Sequence, residues 1–222
     1  MHIEPGVVTG AKLALGSVTA AGAATVSAKM VWENLVQRGA ASLIARSAMA
    51  TAATFVFFEL LPHLAVGPSE VHLILGSTLL LMLGTAPAAV GLALGLLLQG
   101  LLMSPTDLPQ YGMNVTTLLV PLLALHMVTK SVVARGTAYV DLTYTQALKL
   151  STTYQAGVVA WVAFWVVWGE GASMSTLASL STFGAAYMTV VLIEPLVDLA
   201  VLAVAKRMKA QGSGLLDARV YG

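Results

Sequence analysis

Apolar residues form long runs in this chain, and the polar residues gather between the runs instead of recurring within them. A helix on the surface of a soluble protein carries one apolar stripe. A run that is apolar on every side belongs in lipid, where about 20 residues of helix cover about 30 Å of hydrocarbon. Seven runs are predicted to form such helices, at residues 8–32, 43–61, 71–83, 86–103, 116–133, 147–168 and 180–205. Gly84, Thr85 and Pro87 divide an apolar stretch too long for one helix, because glycine and proline interrupt helical pattern. Pro105 and Pro109 bound the next loop, and Gly169 to Gly171 the one before the last run. The third run is short enough to be a re-entrant segment rather than a span.

Composition agrees with this pattern. Of 222 residues, 58% are hydrophobic and 9% charged, against about 25% charged in soluble domains. The expected fold is an all-α integral membrane protein, a bundle of about seven transmembrane helices forming one domain over residues 1–222. Residues 1–7 would form an amino-terminal lid and 206–222 a cytoplasmic tail. Basic residues orient the bundle, since cytoplasmic loops are enriched in Lys and Arg. With the amino terminus outside and the carboxyl terminus in the cytoplasm, every basic residue except Lys12 falls on the inner side: Lys29, Arg38, Arg46, Lys130, Arg135, Lys149, Lys206, Arg207, Lys209 and Arg219. Glu4 and Pro5 stand where a cleaved signal peptide would carry positive charge, so the first helix is expected to be retained.

A net charge of +1 and the lack of a basic stretch interleaved with aromatics give no indication of nucleic acid as a partner. Cysteine is absent, which excludes disulfides, thiolate metal sites and thiol nucleophiles. Metal ligands must then come from nitrogen, oxygen or methionine sulfur, and the imidazoles available are His2, His63, His72 and His126. His2 is special by position. A free Met1 amine, the His2 backbone nitrogen and the His2 imidazole close a five-membered and a six-membered ring around one ion, and a deprotonated amide favours the square-planar nitrogen geometry of Cu(II) or Ni(II). One more imidazole would complete the site. Glu4-Pro5-Gly6 supplies turn chemistry that would let so short a terminus fold back as a lid. His72 lies at the outer mouth of the third run, either as that imidazole or as an interfacial histidine bonded to a loop carbonyl.

Met1-His2-Ile3 with Gly6, the Gly/Ser-rich loop leading into Val71-His72-Leu73, the Leu83-Gly84 break, the Leu98-Gln99 end of the fourth run and Gly112-Met113-Asn114 before the fifth together resemble the nickel/cobalt S components of energy-coupling-factor transporters, the CbiM/NikM family. The resemblance covers residues 1 to about 130 and rests beyond that on span count and orientation. It implies a substrate-binding membrane subunit for Ni2+ or Co2+ as transported substrate, with no cofactor and no chemistry of its own. It puts the metal on Met1, His2 and His72, with Gln99, Asn114 and Glu4 as polar groups near the site. The family commonly has an acidic residue immediately before the lid glycine, where this chain has Pro5. The implied partners are a transmembrane coupling subunit, a pair of ABC ATPases and a small accessory membrane subunit, in the cell membrane of a bacterium, the inner membrane if Gram-negative. The chain has no phosphate-loop motif, so ATP hydrolysis would belong to those partners.

Other polar residues leave alternatives open. His63 follows Pro62 and is either a capture site or a solvated loop residue. His126 lies within a run, where ionisable groups are functional by default or bonded across helices. Glu194 and Asp198 share one helix face and are either proton-linked carboxylates or partners of Arg46 or of another subunit. Were these three proton-linked, the chain would be a proton-coupled secondary divalent-cation transporter. The ladder Gly16, Ala20, Ala24, Ala28 would let another helix approach closely, inside the bundle or from a partner.

Overall fold

The computed structural model describes residues 3–61 and 64–210. Met1, His2, His63 and Arg219, which carry several of the expectations above, lie outside the described residues. Within them the chain forms seven α-helices: α1 (Leu13–Arg38), α2 (Ala40–Glu59), α3 (Gly76–Leu83), α4 (Thr85–Leu102), α5 (Tyr111–Val132), α6 (Tyr144–Glu170) and α7 (Met174–Ala210). A hairpin of β1 (Leu64–Val66) and β2 (Ser69–Val71) is inserted between α2 and α3. Five of the helical segments are long and apolar enough to cross a membrane: those of α2, α4, α5, α6 and α7.

The helix breaks follow from backbone chemistry. Gly39, with φ 79°, separates α1 from α2, and Gly84, with φ 91°, separates α3 from α4; each is in a region that L side chains rarely adopt. Pro87 sits in the first turn of α4, where the N–H it lacks has no helical partner to lose. Thr143 and Gln146 form a reciprocal capping box at the start of α6. At the far end, α7 continues through Lys206 to Ala210, so the first part of the expected tail is helical, and Lys206 Nζ donates to the Val140 carbonyl at 2.8 Å.

Small residues set the packing, as they must where no hydrophobic force acts between helices in lipid. A Cβ on Gly91 would fall 2.2 Å from Ala50 Cβ, and one on Gly95 2.6 Å from Thr54 Cβ, so α4 lies directly against α2. A Cβ on Gly76, at the start of α3, would fall 2.3 Å from the Tyr154 ring of α6. Gly16 is closed against Met113, whereas Ala24 and Ala28 further along the ladder are exposed. The ladder is thus used inside the bundle at its first two rungs, Gly16 and Ala20, the latter packing against the core. Large apolar side chains such as Val18, Trp32, Ile44 and Leu196 are exposed on the outside of the bundle, as a lipid-facing surface requires.

Two expectations change. The third run is not one helix over 71–83: Val71 ends a strand, residues 72–75 are non-helical, and α3 has 8 residues, about 12 Å at 1.5 Å per residue. The Gly/Ser-rich loop before it is a hairpin, with Leu64 opposite Val71 and Val66 opposite Ser69. Its turn starts at Gly67 with φ 61°, the position at which two-residue hairpin loops require glycine. Lys12, the basic residue on the unexpected side, donates to the Gly169 carbonyl at 2.8 Å near the end of α6, where a cation complements the helix dipole.

Candidate metal centre

The described amino-terminal segment lies on the hairpin. Ile3 forms an antiparallel bridge with Ser69, Glu4 N–H donates to the Pro68 carbonyl at 3.0 Å, and Ile3 N–H donates to Asn114 Oδ1 at 2.9 Å. The Ile3 side chain is fully buried in a small apolar cluster with Val8, Met113 and Trp165. Glycine completes the seat: a Cβ on Gly169 would fall 2.0 Å from the Val7 carbonyl oxygen. Residues 3–8 therefore lie against the hairpin, α5 and the end of α6.

His72 directly follows β2 and is 1% exposed. Its Nε2 lies 2.8 Å from Glu70 Oε2, and its ring is 5.2 Å from that of Phe58. Glu70 and His72 are two residues apart at the end of an extended segment, a spacing that puts side chains on one face. A carboxylate holding an imidazole is the arrangement that orients metal-binding histidines and raises their basicity. The described residues thus give this imidazole a buried position and a carboxylate partner. A loop reading hid this pair, since without the hairpin Glu70 has no fixed direction.

Asn114 is 1% exposed on α5; its Oδ1 receives the Ile3 N–H, and its Nδ2 has no partner among the described residues. Gln99 is 3% exposed on α4 and its side-chain oxygen also has no partner among the described residues. The structure therefore joins Asn114 to the folded-back segment and joins the Gln99 oxygen to neither. Burial, then the charges of Glu70 and Asp107, raise the Glu4 carboxyl above its ordinary value. Glu4, Glu70 and Asp107 thus lend negative potential to the surroundings of the segment, which favours approach of a cation.

The remaining polar residues separate from this centre. His126 Nδ1 lies 2.8 Å from Thr85 Oγ1 at the start of α4, an imidazole bonded across helices. Glu194 and Asp198 are not held by Arg46. That guanidinium instead donates to the Leu83 carbonyl at 2.7 Å and Asn34 Oδ1 at 2.8 Å, clasping the α3–α4 break to α1. Glu194 takes the N–H groups of Ile74 and Leu75, and Asp198 the hydroxyls of Ser77 and Thr78.

Similar proteins agree with a transport role for such a bundle. The family model described as the cobalt uptake substrate-specific transmembrane region, CbiM, matches residues 2–211. A solved structure described as a truncated transition metal transporter superposes with a TM-score of 0.69 at 15% identity, covering 96% of this chain and 99% of that one. Another, described as a transition metal transporter, gives a TM-score of 0.68 at 17% identity over 98% of this chain and 96% of that one. No curated protein matches the chain. With its apolar helices, its buried histidine beside a folded-back amino-terminal segment and a family match over almost its whole length, the chain belongs to the CbiM family and is a membrane component of transition-metal uptake.

Proposed function

We propose that this protein is the substrate-binding S component of an ATP-driven energy-coupling-factor importer for Ni2+ or Co2+, and that it holds the ion between its amino terminus and His72. The ligands would be the Met1 amine, the His2 amide and imidazole, and the His72 imidazole, a planar nitrogen set suited to Ni(II). One observation carries the reading. The Ile3–Ser69 bridge is antiparallel, and Ser69 opens the strand that ends immediately before His72. A described segment, residues 3–4, seated on the hairpin that leads into a buried imidazole, itself beside a carboxylate, supports this reading. Asn114 would pin the lid through the Ile3 amide, Glu4 would add negative potential, and Gln99 would supply a further polar group.

Orientation with the amino terminus outside accords with the basic-residue bias. A coupling subunit, a pair of ATPases and a small accessory subunit would supply the energy in a bacterial cell membrane. Uptake of labelled Ni2+ or Co2+ in cells tests the reading. It should collapse when ATP is depleted and survive an uncoupler, whereas the reverse result would establish proton-coupled secondary transport. Metal analysis of protein from cells given both ions assigns the cargo.

A further inference from the structure

The bundle interior contains two carboxylates that the metal site does not use. Glu194 is 0% exposed and Asp198 3%, and both lie on α7. Ionisable groups at such depth are costly and are retained where specific partners hold them. Gln155 of α6 also bears on Glu194 and Ser151 of α6 on Asp198, and the other partners belong to one short segment. Ile74 N–H donates to Glu194 Oε2 at 2.9 Å, and Leu75 N–H to Oε1 at 2.5 Å. Ser77 Oγ donates to Asp198 at 2.5 Å, and the Thr78 hydroxyl also donates to this carboxylate.

That segment begins at His72. Its residues 72–75 form neither strand nor helix, so their N–H groups have no regular ladder to join, and lipid offers no water in its place. Leu75 has φ 53°, a left-handed conformation uncommon for any residue but glycine and held only where the surroundings over-determine it. Two oxygens of one carboxylate, taking two successive N–H groups, supply that determination immediately beyond His72.

We propose that Glu194 is a positioning residue for the metal: by clamping Ile74 and Leu75 it fixes the backbone that orients the His72 imidazole as a ligand. This rests on His72 being a ligand. Asp198, in contrast, holds the first turn of α3. The two carboxylates differ in what can replace them. A backbone N–H only donates, so Glu194→Gln keeps one acceptor and turns an amide donor towards the other N–H. A hydroxyl both donates and accepts, so Asp198→Asn retains bonds to Ser77 and Thr78 by rotation of their hydrogens.

The experiment compares purified wild type, H72A, E194Q and D198N, each titrated with Ni2+ and monitored by its visible ligand-field spectrum, with metal-free thermal unfolding alongside. E194Q should bind Ni2+ at least about tenfold more weakly, in the range of losses for groups that orient ligands. Its spectrum should match that of H72A, while D198N keeps the wild-type spectrum. A merely structural role would lower the unfolding midpoint and leave the spectrum of the folded protein unchanged, which overturns the proposal. Equal spectral changes in E194Q and D198N overturn it too. E194D, which retains both acceptors on a shorter arm, replaces E194Q if the latter does not fold. It should also shift towards the H72A spectrum, and a wild-type spectrum there overturns the proposal. If H72A itself keeps the wild-type spectrum, the ligand reading fails, and the proposal for Glu194 with it.

Discussion

The backbone N–H of Ile3 donates to Asn114 Oδ1 at 2.9 Å, joining the start of the chain to the first turns of α5. Both residues are buried, so this bond is shielded from competing water and its loss leaves a buried donor unsatisfied, at a cost of about 1–3 kcal/mol. Asn114→Ala should therefore loosen the lid and weaken Ni2+ binding by about tenfold, measured by competition with a chromophoric chelator. Asn114→Asp keeps the acceptor and should retain more affinity than the alanine variant. Identical affinities for the two would show that the Ile3 bond is irrelevant to the metal.

His72→Ala should lower metal affinity by more than about tenfold, and Glu70→Gln by a smaller factor, because outer partners tune a ligand that they do not replace. His63→Ala should bind as wild type. Equilibrium dialysis checks all three, and full retention of metal by the His72 variant would remove that residue from the site.

Gly169 tests the seat of the lid without touching any proposed ligand. A side chain there meets the Val7 carbonyl, so Gly169→Val must push residues 7 and 8 off the end of α6. Overpacking of this kind costs about 1–3 kcal/mol. The variant should fold, show a lower unfolding midpoint and take up less Ni2+ or Co2+. Wild-type uptake would mean that the segment need not be seated for transport.

Acid should release the ion, since the amide must lose its proton and the amine and imidazoles must be neutral to bind. Protons compete more strongly as pH falls, so affinity should drop steeply below about pH 6.5, the ordinary histidine value. A flat titration from pH 8 to 5 would point to carboxylate ligands, with Glu70 the first to test.

The amino terminus gives the sharpest test. A tag ahead of Met1 ties the amine into a peptide bond and should abolish both binding and uptake, provided that mass spectrometry shows the tag uncleaved. One alanine inserted between Met1 and His2 lets the amine, two amides and imidazole fill four planar positions alone. Nickel should then stay bound while uptake is lost, because the ion no longer ties the lid to His72. Normal transport by the tagged protein would rule out the amino-terminal site.

The helices were legible because crossing lipid is a local demand: each must carry its own apolar run and satisfy its own backbone. The expected breaks at Gly84 and at Gly169 to Gly171 accordingly fall at or within a residue or two of the helix ends, as backbone preference dictates. The third run misled for the same reason. Its apolar character comes from burial among other helices, and apolar burial does not distinguish a helix from the strand end and non-helical limb that carry His72.

In this protein the sequence by itself determined the membrane class, the order of the helices and the candidate ligands His2 and His72, because composition, run length and residue chemistry are properties of short stretches. Only the tertiary structure decided what holds the candidate site. The Ile3–Asn114 bond joins residues 111 apart, and the Ile74–Glu194 bond residues 120 apart. Whether Glu194 relays protons, pairs with Arg46 or clamps the limb beside His72 depends on which groups face it across the bundle. A pattern read along the chain contains no information on such pairs, because each partner satisfies only its own local rule until packing brings the two together.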